Sequence, residues 1–355
     1  MEVEKNIQDV FLSLLRSALW GVPAQIPDGF SDWRSVAVLA KSQSVLGLVG
    51  EELMSCSAPK ELKAKVRTMV MRTVMTHAKL NSVLAEVTAA LEKGGVPSVL
   101  LKGQGIAALY DEPMWRECGD IDLYFPQPKD RIKAEAWLTE QGYAPERKPD
   151  GSTLYAWQGT EVEHHSHLFD LQSPKVQGYL KGLIAEKGFV RMDLGGGNEI
   201  SVPSPVMNFL LLNTHILKHA LGKGIGLRQL CDMARAYAVW GKQVDGEEVK
   251  RIYRNTGIGK WSCLLHAFLT EVLGMPVEYL PYPEKKESAA PLLDIVLRGG
   301  NFGQHGKEGK VQDELTWRRK WNTCRAFWQN MGFSLKYAPG ETIHTFGQLV
   351  KGQFK

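Results

Sequence analysis

The chain of 355 residues carries 43 Lys and Arg against 39 Asp and Glu, a net charge of +4, with 44% hydrophobic and 23% charged residues. That length allows two or three domains with a sizeable core, and the composition is that of a globular protein, not a disordered, fibrous or membrane-spanning one. So small a net charge gives no reason to expect a dominant nucleic-acid or membrane surface, while leaving room for a local basic cleft.

The five cysteines, Cys56, Cys118, Cys231, Cys263 and Cys324, are scattered and form no CxxC or zinc spacing. They read as reduced thiols of a cytoplasmic protein. At the N-terminus, Phe11 to Leu15 are apolar, but Arg16 interrupts them and Glu2, Glu4 and Asp9 precede them. This is an amphipathic helix, not a signal peptide, and no apolar run elsewhere approaches a membrane span. Helical periodicity over 5–19 and 31–54 predicts an N-terminal helical layer. Pro59 then opens a long helix whose stripe runs through Leu62, Val66, Met69, Val70, Thr73, Leu80, Leu84, Val87 and Leu91, and which Gly94-Gly95 stops.

The next segment alternates. Strand 96–102, helix 103–110, strand 120–125 and helix 129–141, opened by Pro128, are followed by short strands near 153–158, 161–166, 188–193 and 198–202, with a helix around 175–186 among them. From Pro203 the pattern is helical: 204–220, 226–240, 246–255 and 258–273. The Pro-, Gly- and charge-rich stretch 275–312 predicts a loop or mobile flap. Trp317 to Leu335 reads as helix, and the last twenty residues as amphipathic or frayed. The fold class is therefore α+β. A small mixed sheet over 94–202 is flanked by N-terminal helices, 1–93, and a C-terminal helical domain, 203–355.

The chemistry is concentrated in 101–125, LKGQGIAALYDEPMWRECGDIDLYF. An apolar run enters the turn Gly103-Gln104-Gly105; a short helix follows, then Arg116, then Asp-Ile-Asp at the head of a second apolar run. Strand residues two apart share a face, so Asp120 and Asp122 stand side by side while Ile121 and Leu123 face the core. Two carboxylates roughly 7 Å apart on one strand repel unless a cation sits between them, and hard Mg²⁺ is the usual solution. A glycine turn opening a helix presents backbone N–H groups suited to phosphate. Together they point to phosphoryl or nucleotidyl chemistry.

The order strand, glycine turn, helix, Asp-x-Asp strand resembles the DNA polymerase β-like nucleotidyltransferase superfamily. It is most similar to the bacterial "nucleotidyltransferase family protein" group, through Leu100-Leu101-Lys102-Gly103, Tyr110, Arg116 and Gly119-Asp120-Ile121-Asp122-Leu123. Val162-Glu163-His164 and the later His215, His219, Leu227-Arg228-Gln229-Leu230 and Asp232 extend the likeness over roughly 70–240. Gln104 stands where many members have Ser or Gly, and Cys118 where a small polar residue is common.

The resemblance implies a metal-dependent transfer of an NMP from an NTP to an acceptor, with release of pyrophosphate. Two Mg²⁺ ions, or Mn²⁺, would be held by Asp120, Asp122 and a third carboxylate. Glu163 is the candidate, as ligand or base, with Glu161 and Asp170 as competitors. Lys102, Gly103, Gln104, Gly105 and Arg116 would face phosphate. The acceptor, whether small molecule, protein or tRNA, is not readable from the sequence. A toxin-type enzyme acting on tRNA or protein, and a non-catalytic nucleotide-binding member, stay open as alternatives.

On a strand, His165 and His167 share one face and His164 the other, so at most two converge; packing and hydrogen bonding are the plainer expectation for all three. His215 and His219, one helical turn apart, are expected to pack against or line the cleft. Lys218, Arg228 and Asp232 are expected either to face nucleotide or acceptor or to form an ion network along a helix. Trp240, Trp261, Trp317, Trp321 and Trp328 are expected in the core or at an interface.

Overall fold

A computed structural model describes residues 2–148, 150–171, 173–195, 199–222, 224–283, 287–299 and 331–344. It opens with α1 (Glu2–Trp20), α2 (Trp33–Ser42), α3 (Leu46–Ser55) and the 34-residue α4 (Lys60–Lys93). The stretch 31–54 is two helices, not one. Ser44, at φ +54°, turns the chain between them, and apolar spacing carries no record of such a break. At the end of α4, Gly95 takes φ +70° and Val96 N–H reaches back to the Leu91 carbonyl at 3.0 Å. Left-handed backbone of this kind suits glycine and stops a helix.

The alternating segment follows as β1 (Val99–Leu101), α5 (Gly103–Ala107), a 3₁₀ turn (Pro113–Trp115), β2 (Ile121–Tyr124), α6 (Pro128–Glu140), β3 (Glu146–Arg147), β4 (Thr153–Trp157) and β5 (Thr160–His165). The five strands form one sheet in the order β1-β2-β5-β4-β3. Only β2 and β5 run parallel, so the sheet is mixed. The alternation expected of β2 holds: Ile121 and Leu123 are fully buried. They pack with Val162 and Leu100 under Leu80, Leu84, Val87 and Leu91 of α4 and Ala134 and Leu138 of α6. One face of the sheet is thereby sealed, and Asp122, Glu163 and His165 are left on the other.

Next come α7 (Pro174–Lys187), the hairpin β6 (Phe189–Asp193) and β7 (Glu199–Pro203), and then helices α8 (Pro205–Leu221), α9 (Leu227–Trp240), α10 (Gly246–Asn255), α11 (Gly259–Glu271) and α12 (Ala290–Gly299). The N-terminal and later helices share one core. Phe11, Leu14, Trp33, Phe209, Trp261 and Phe268 belong to the same buried cluster, and Trp20 Nε1 donates to the Leu273 carbonyl at 2.6 Å. Helix α12 corrects the expectation of a loop through 275–312. Leu292, Ile295 and Val296 form a buried stripe, which the surrounding Pro, Gly and charge obscure. Gln43, itself buried, donates to the Val296 carbonyl at 3.2 Å and accepts from Leu227 N–H at 3.0 Å. A short helix, Met331–Tyr337, covers the end of the one expected over 317–335. The rest of that expectation, residues 300–312, the last eleven residues, Trp317, Trp321, Trp328 and Cys324 lie outside the described residues. Among those described, no helix is long and apolar enough to cross a membrane.

Helix α9 fixes the loop between α5 and β2. Arg228, Asp232 and Arg235 fall at i, i+4 and i+7, on one face. Arg235 donates to the Leu109 carbonyl (2.9 Å) and to Asp111 (2.6 Å). Asp232 accepts from Tyr110 Oη (2.9 Å) and takes Arg116 through two parallel bonds, Nε at 3.0 Å and Nη2 at 2.6 Å. Arg228 Nη1 donates to the Glu117 carbonyl at 3.0 Å. From the opposite side Gly47 of α3 meets the Trp115 carbonyl so closely that an added Cβ would lie 2.0 Å from its oxygen. The segment leading into Asp120 is thus pinned along its length.

Removing one partner from a buried ion pair strands the other charge, at about 3–5 kcal/mol. Asp232→Ala is therefore expected to lower the unfolding free energy from urea denaturation by that margin, while the paired change Arg116→Met with Asp232→Leu recovers most of it. A single variant as stable as the wild type would show that the pair does not hold this loop.

Candidate metal and nucleotide site

The site begins with strand register. Asp122 of β2 pairs directly with Glu163 of the neighbouring parallel strand β5, and Tyr124 with His165. Side chains two apart on β5 share a face, so Glu163 and His165 stand beside Asp122 on the unsealed side of the sheet. One ligand atom from each of Asp122, Glu163 and His165 lies within 4.8 Å of the others. A set of two carboxylates and an imidazole fits a divalent cation; the oxygens suit Mg²⁺, and the mixed set also suits Mn²⁺. Two lysines flank it, and within it His165 meets Asp122 directly. Lys102 Nζ is 3.4 Å from Asp122 Oδ2, His165 Nε2 is 2.5 Å from Oδ1, and Lys148 Nζ is 2.7 Å from Glu163 Oε2. Burial pushes the Asp122 carboxyl up, but Lys102 and His165 outweigh it and hold the group well below the usual carboxylate range.

Asp120 stands apart from that cluster. It precedes β2 and is exposed, although its charge is felt by Lys102 and Asp122. Partial desolvation and then the Asp122 charge raise its carboxyl above the ordinary value. Of the competitors for the third carboxylate, Glu161 lies at an exposed position on β5. Asp170 has both oxygens engaged, Oδ2 with His215 Nδ1 at 3.2 Å and Oδ1 with Lys218 Nζ at 2.7 Å.

The turn beside the carboxylates is strained. Lys102 adopts φ 51°, ψ −135°, a region that belongs to glycine and costs about 1–3 kcal/mol for other residues. Gly103 follows at φ +42°. Such outliers persist where a side chain must be aimed, and here the lysine is aimed at Asp122. Burial depresses the Lys102 ammonium, but Asp122, Asp170 and Asp120 together raise it and keep it charged. The first amides of α5, at Gly103, Gln104 and Gly105, have no partner within so short a helix. Gln104 is buried with neither amide atom hydrogen-bonded.

Arg116, expected to neutralise phosphate, is instead buried. Its Nε and Nη2 go to Asp232 and its Nη1 to the Glu117 carbonyl and Cys118 Sγ. This arginine braces the loop and has no nitrogen left for a ligand. Arg228, one turn earlier on α9 than Asp232, acts on Asp120 electrostatically, and its buried Nε has no partner. Sequence reasoning left Arg228 undecided and read His165 as packing. The period-2 spacing of His165 from Glu163 was the available signal for the second, and nothing short of the Arg116–Asp232 pairing distinguishes the two arginines. His164 is buried between Phe125 and Tyr155, with Nε2 3.0 Å from Tyr155 Oη. His167 lies past the end of β5 and pairs with Ser166.

Across the cleft, His215 and His219 of α8 stack edge to face at 4.5 Å. The charges of Lys102 and Asp122 act on His215, and Asp170 bridges His215 and Lys218.

Among solved structures, the chain is similar to an antigenic nucleotidyltransferase-like protein from Paracoccidioides brasiliensis. The two are 12% identical, with 56% of this chain and 93% of that chain covered at a TM-score of 0.33. No curated protein matches. A family model described as "Uncharacterised nucleotidyltransferase" matches residues 30–274, well over half of the chain and all of the site just described. The chain belongs to that nucleotidyltransferase family.

Proposed function

We propose that this protein is a divalent-metal-dependent nucleotidyltransferase, moving an NMP from an NTP to an acceptor hydroxyl and releasing pyrophosphate. The observation that carries this reading is the direct pairing of Asp122 with Glu163 across parallel strands, with His165 completing a ligand set within 4.8 Å. Asp122, Glu163 and His165 would hold the cation, with Asp120 at the exposed edge available to a second. A divalent cation, when bound, withdraws charge from the reacting phosphate and from the leaving pyrophosphate.

The chain's own groups do the rest. Amides of Gly103, Gln104 and Gly105 receive phosphate oxygens. Lys102 balances the acidic pair and the triphosphate together. Arg228, not Arg116, supplies the planar donors that suit phosphate, its position set by the Arg116–Asp232 brace. The helices after β7 form the acceptor side. Mg²⁺ is the expected physiological ion, Mn²⁺ a substitute for experiment, and the cytoplasm the expected compartment.

The test incubates purified protein with α-³²P-labelled NTPs, Mg²⁺ and cell extract. Label should pass to an acceptor, and both Asp122→Asn and Glu163→Gln should reduce the rate by more than about 100-fold, since even second-shell metal partners are worth 10–100-fold. Transfer that survives in Asp122→Asn refutes the metal assignment.

Arg228→Ala removes charge-assisted bonds worth about 1.5–3 kcal/mol, so KM for the NTP should rise about 10- to 100-fold. An unchanged KM would remove Arg228 from the nucleotide site.

A further inference from the structure

Residues Asp170, His215 and Lys218 form a cluster that the metal and phosphate roles leave unassigned. Asp170 sits in the loop after β5, its side chain 26% exposed; His215 and Lys218 lie three apart on α8. Lys218 Nζ holds one carboxylate oxygen at 2.7 Å and His215 Nδ1 the other at 3.2 Å. Burial pushes the Asp170 carboxyl up, but His215, Lys218 and Lys102 outweigh it and hold it far below the usual carboxylate range. An ionised carboxylate only accepts. The imidazole proton must therefore sit on Nδ1, which leaves Nε2 with a lone pair. Among the described residues that atom has no hydrogen-bond partner, and the ring is 17% exposed. Its field comes from Lys102 on the strained turn, Asp122 on β2 and Asp170, with His219 one turn along its own helix stacked edge to face against it. Burial, then Lys102, lower the His215 imidazole below its ordinary value, with Asp170 opposing them. It is neutral near pH 7.

Resting on the nucleotidyltransferase reading above, we propose that His215, held in its Nδ1–H form by Asp170, is the general base that takes the acceptor's proton. Glu163 is committed to the cation side, where its Oε2 also meets Lys148, so the base comes from the helical wall. Nε2 accepts the proton from the acceptor O–H; the freed oxygen lone pair forms a bond to the α-phosphorus. The bond from that phosphorus to the bridging oxygen breaks, and its electron pair leaves with pyrophosphate. The proton then passes from Nε2 to solvent. Asp170 acts as a positioning residue, fixing the tautomer and stabilising the imidazolium, and Lys218 fixes Asp170.

The experiment compares wild type, His215→Gln, Asp170→Asn and Lys218→Met in the labelled-transfer assay across pH, beside two binding measurements that need no turnover. These are Mn²⁺ by electron paramagnetic resonance and α,β-methylene-ATP by calorimetry. His215→Gln should lower the initial rate by about 10²–10⁴-fold, the usual contribution of a positioned base. It should also abolish the acid limb of the pH–rate profile, while both binding constants stay within about twofold of wild type. The wild-type acid limb should lie below pH ~6.5, the ordinary imidazole value. Asp170→Asn removes the charge that favours imidazolium, so its acid limb should move further down. Imidazole in the buffer should restore transfer to His215→Ala.

In wild type, ¹⁵N spectra of the imidazoles at pH 7 should show His215 protonated at Nδ1 alone. Binding losses that match the rate loss, or a transfer rate and pH profile unchanged in His215→Gln, overturn the base assignment and leave the nucleotidyltransferase reading standing. A wild type that binds Mn²⁺ and nucleotide but transfers no label anywhere overturns both.

Discussion

Two carboxylates on adjacent strands, one strand spacing apart (about 4.8 Å), can be held together only if positive charge is brought to them. Asp122 and Glu163 sit in that relation, fixed by sheet register, and the side chains bonded to them answer it. Lys102 and His165 meet Asp122, and Lys148 meets Glu163. On the reading proposed above, the same demand would draw a divalent cation to this point. Charge balance is the link between the fold and the chemistry.

That balance needs rigid placement, and the rigidity comes from the helical side. The site-bearing loop has no regular structure of its own beyond one 3₁₀ turn. Asp232 and Arg235 of α9 tie down its first half, Arg228 its last residues, and Gly47 of α3 lies flush against its centre. The N-terminal helices and those after β7 share a core, so α3 and α9 grip the loop from a common body. The buried Arg116–Asp232 pair is best understood this way. It ties the segment just before Asp120 to the helix that carries Arg228.

Much of the architecture was legible because it follows local rules. Proline at helix starts, Gly94-Gly95 after the α4 stripe, and period-2 alternation in β2 each leave a mark on the sequence. The two-residue strand β3 and the break at Ser44 left none, since neither shows in hydrophobic spacing. At the site, Asp122 and Glu163 were readable as strand residues facing one side, whereas their register with each other is a long-range fact. The roles of Arg116 and Arg228 could not be told apart beforehand. Both are arginines beside acidic residues, and only the burial of one against Asp232 shows which has donors to spare.

Lys102 connects these levels. Glycine at that position would relieve the backbone, yet the chain places there a lysine whose ammonium lies 3.4 Å from Asp122. The chain must turn sharply from β1 into α5, and the residue at that turn must present a cation to Asp122. No unstrained residue satisfies both demands. A cost of about 1–3 kcal/mol is retained in the folded state because it aims charge where two acids converge. Strain at Lys102 and its buried ammonium are thus two consequences of bringing the turn after β1 against the acidic residues of β2.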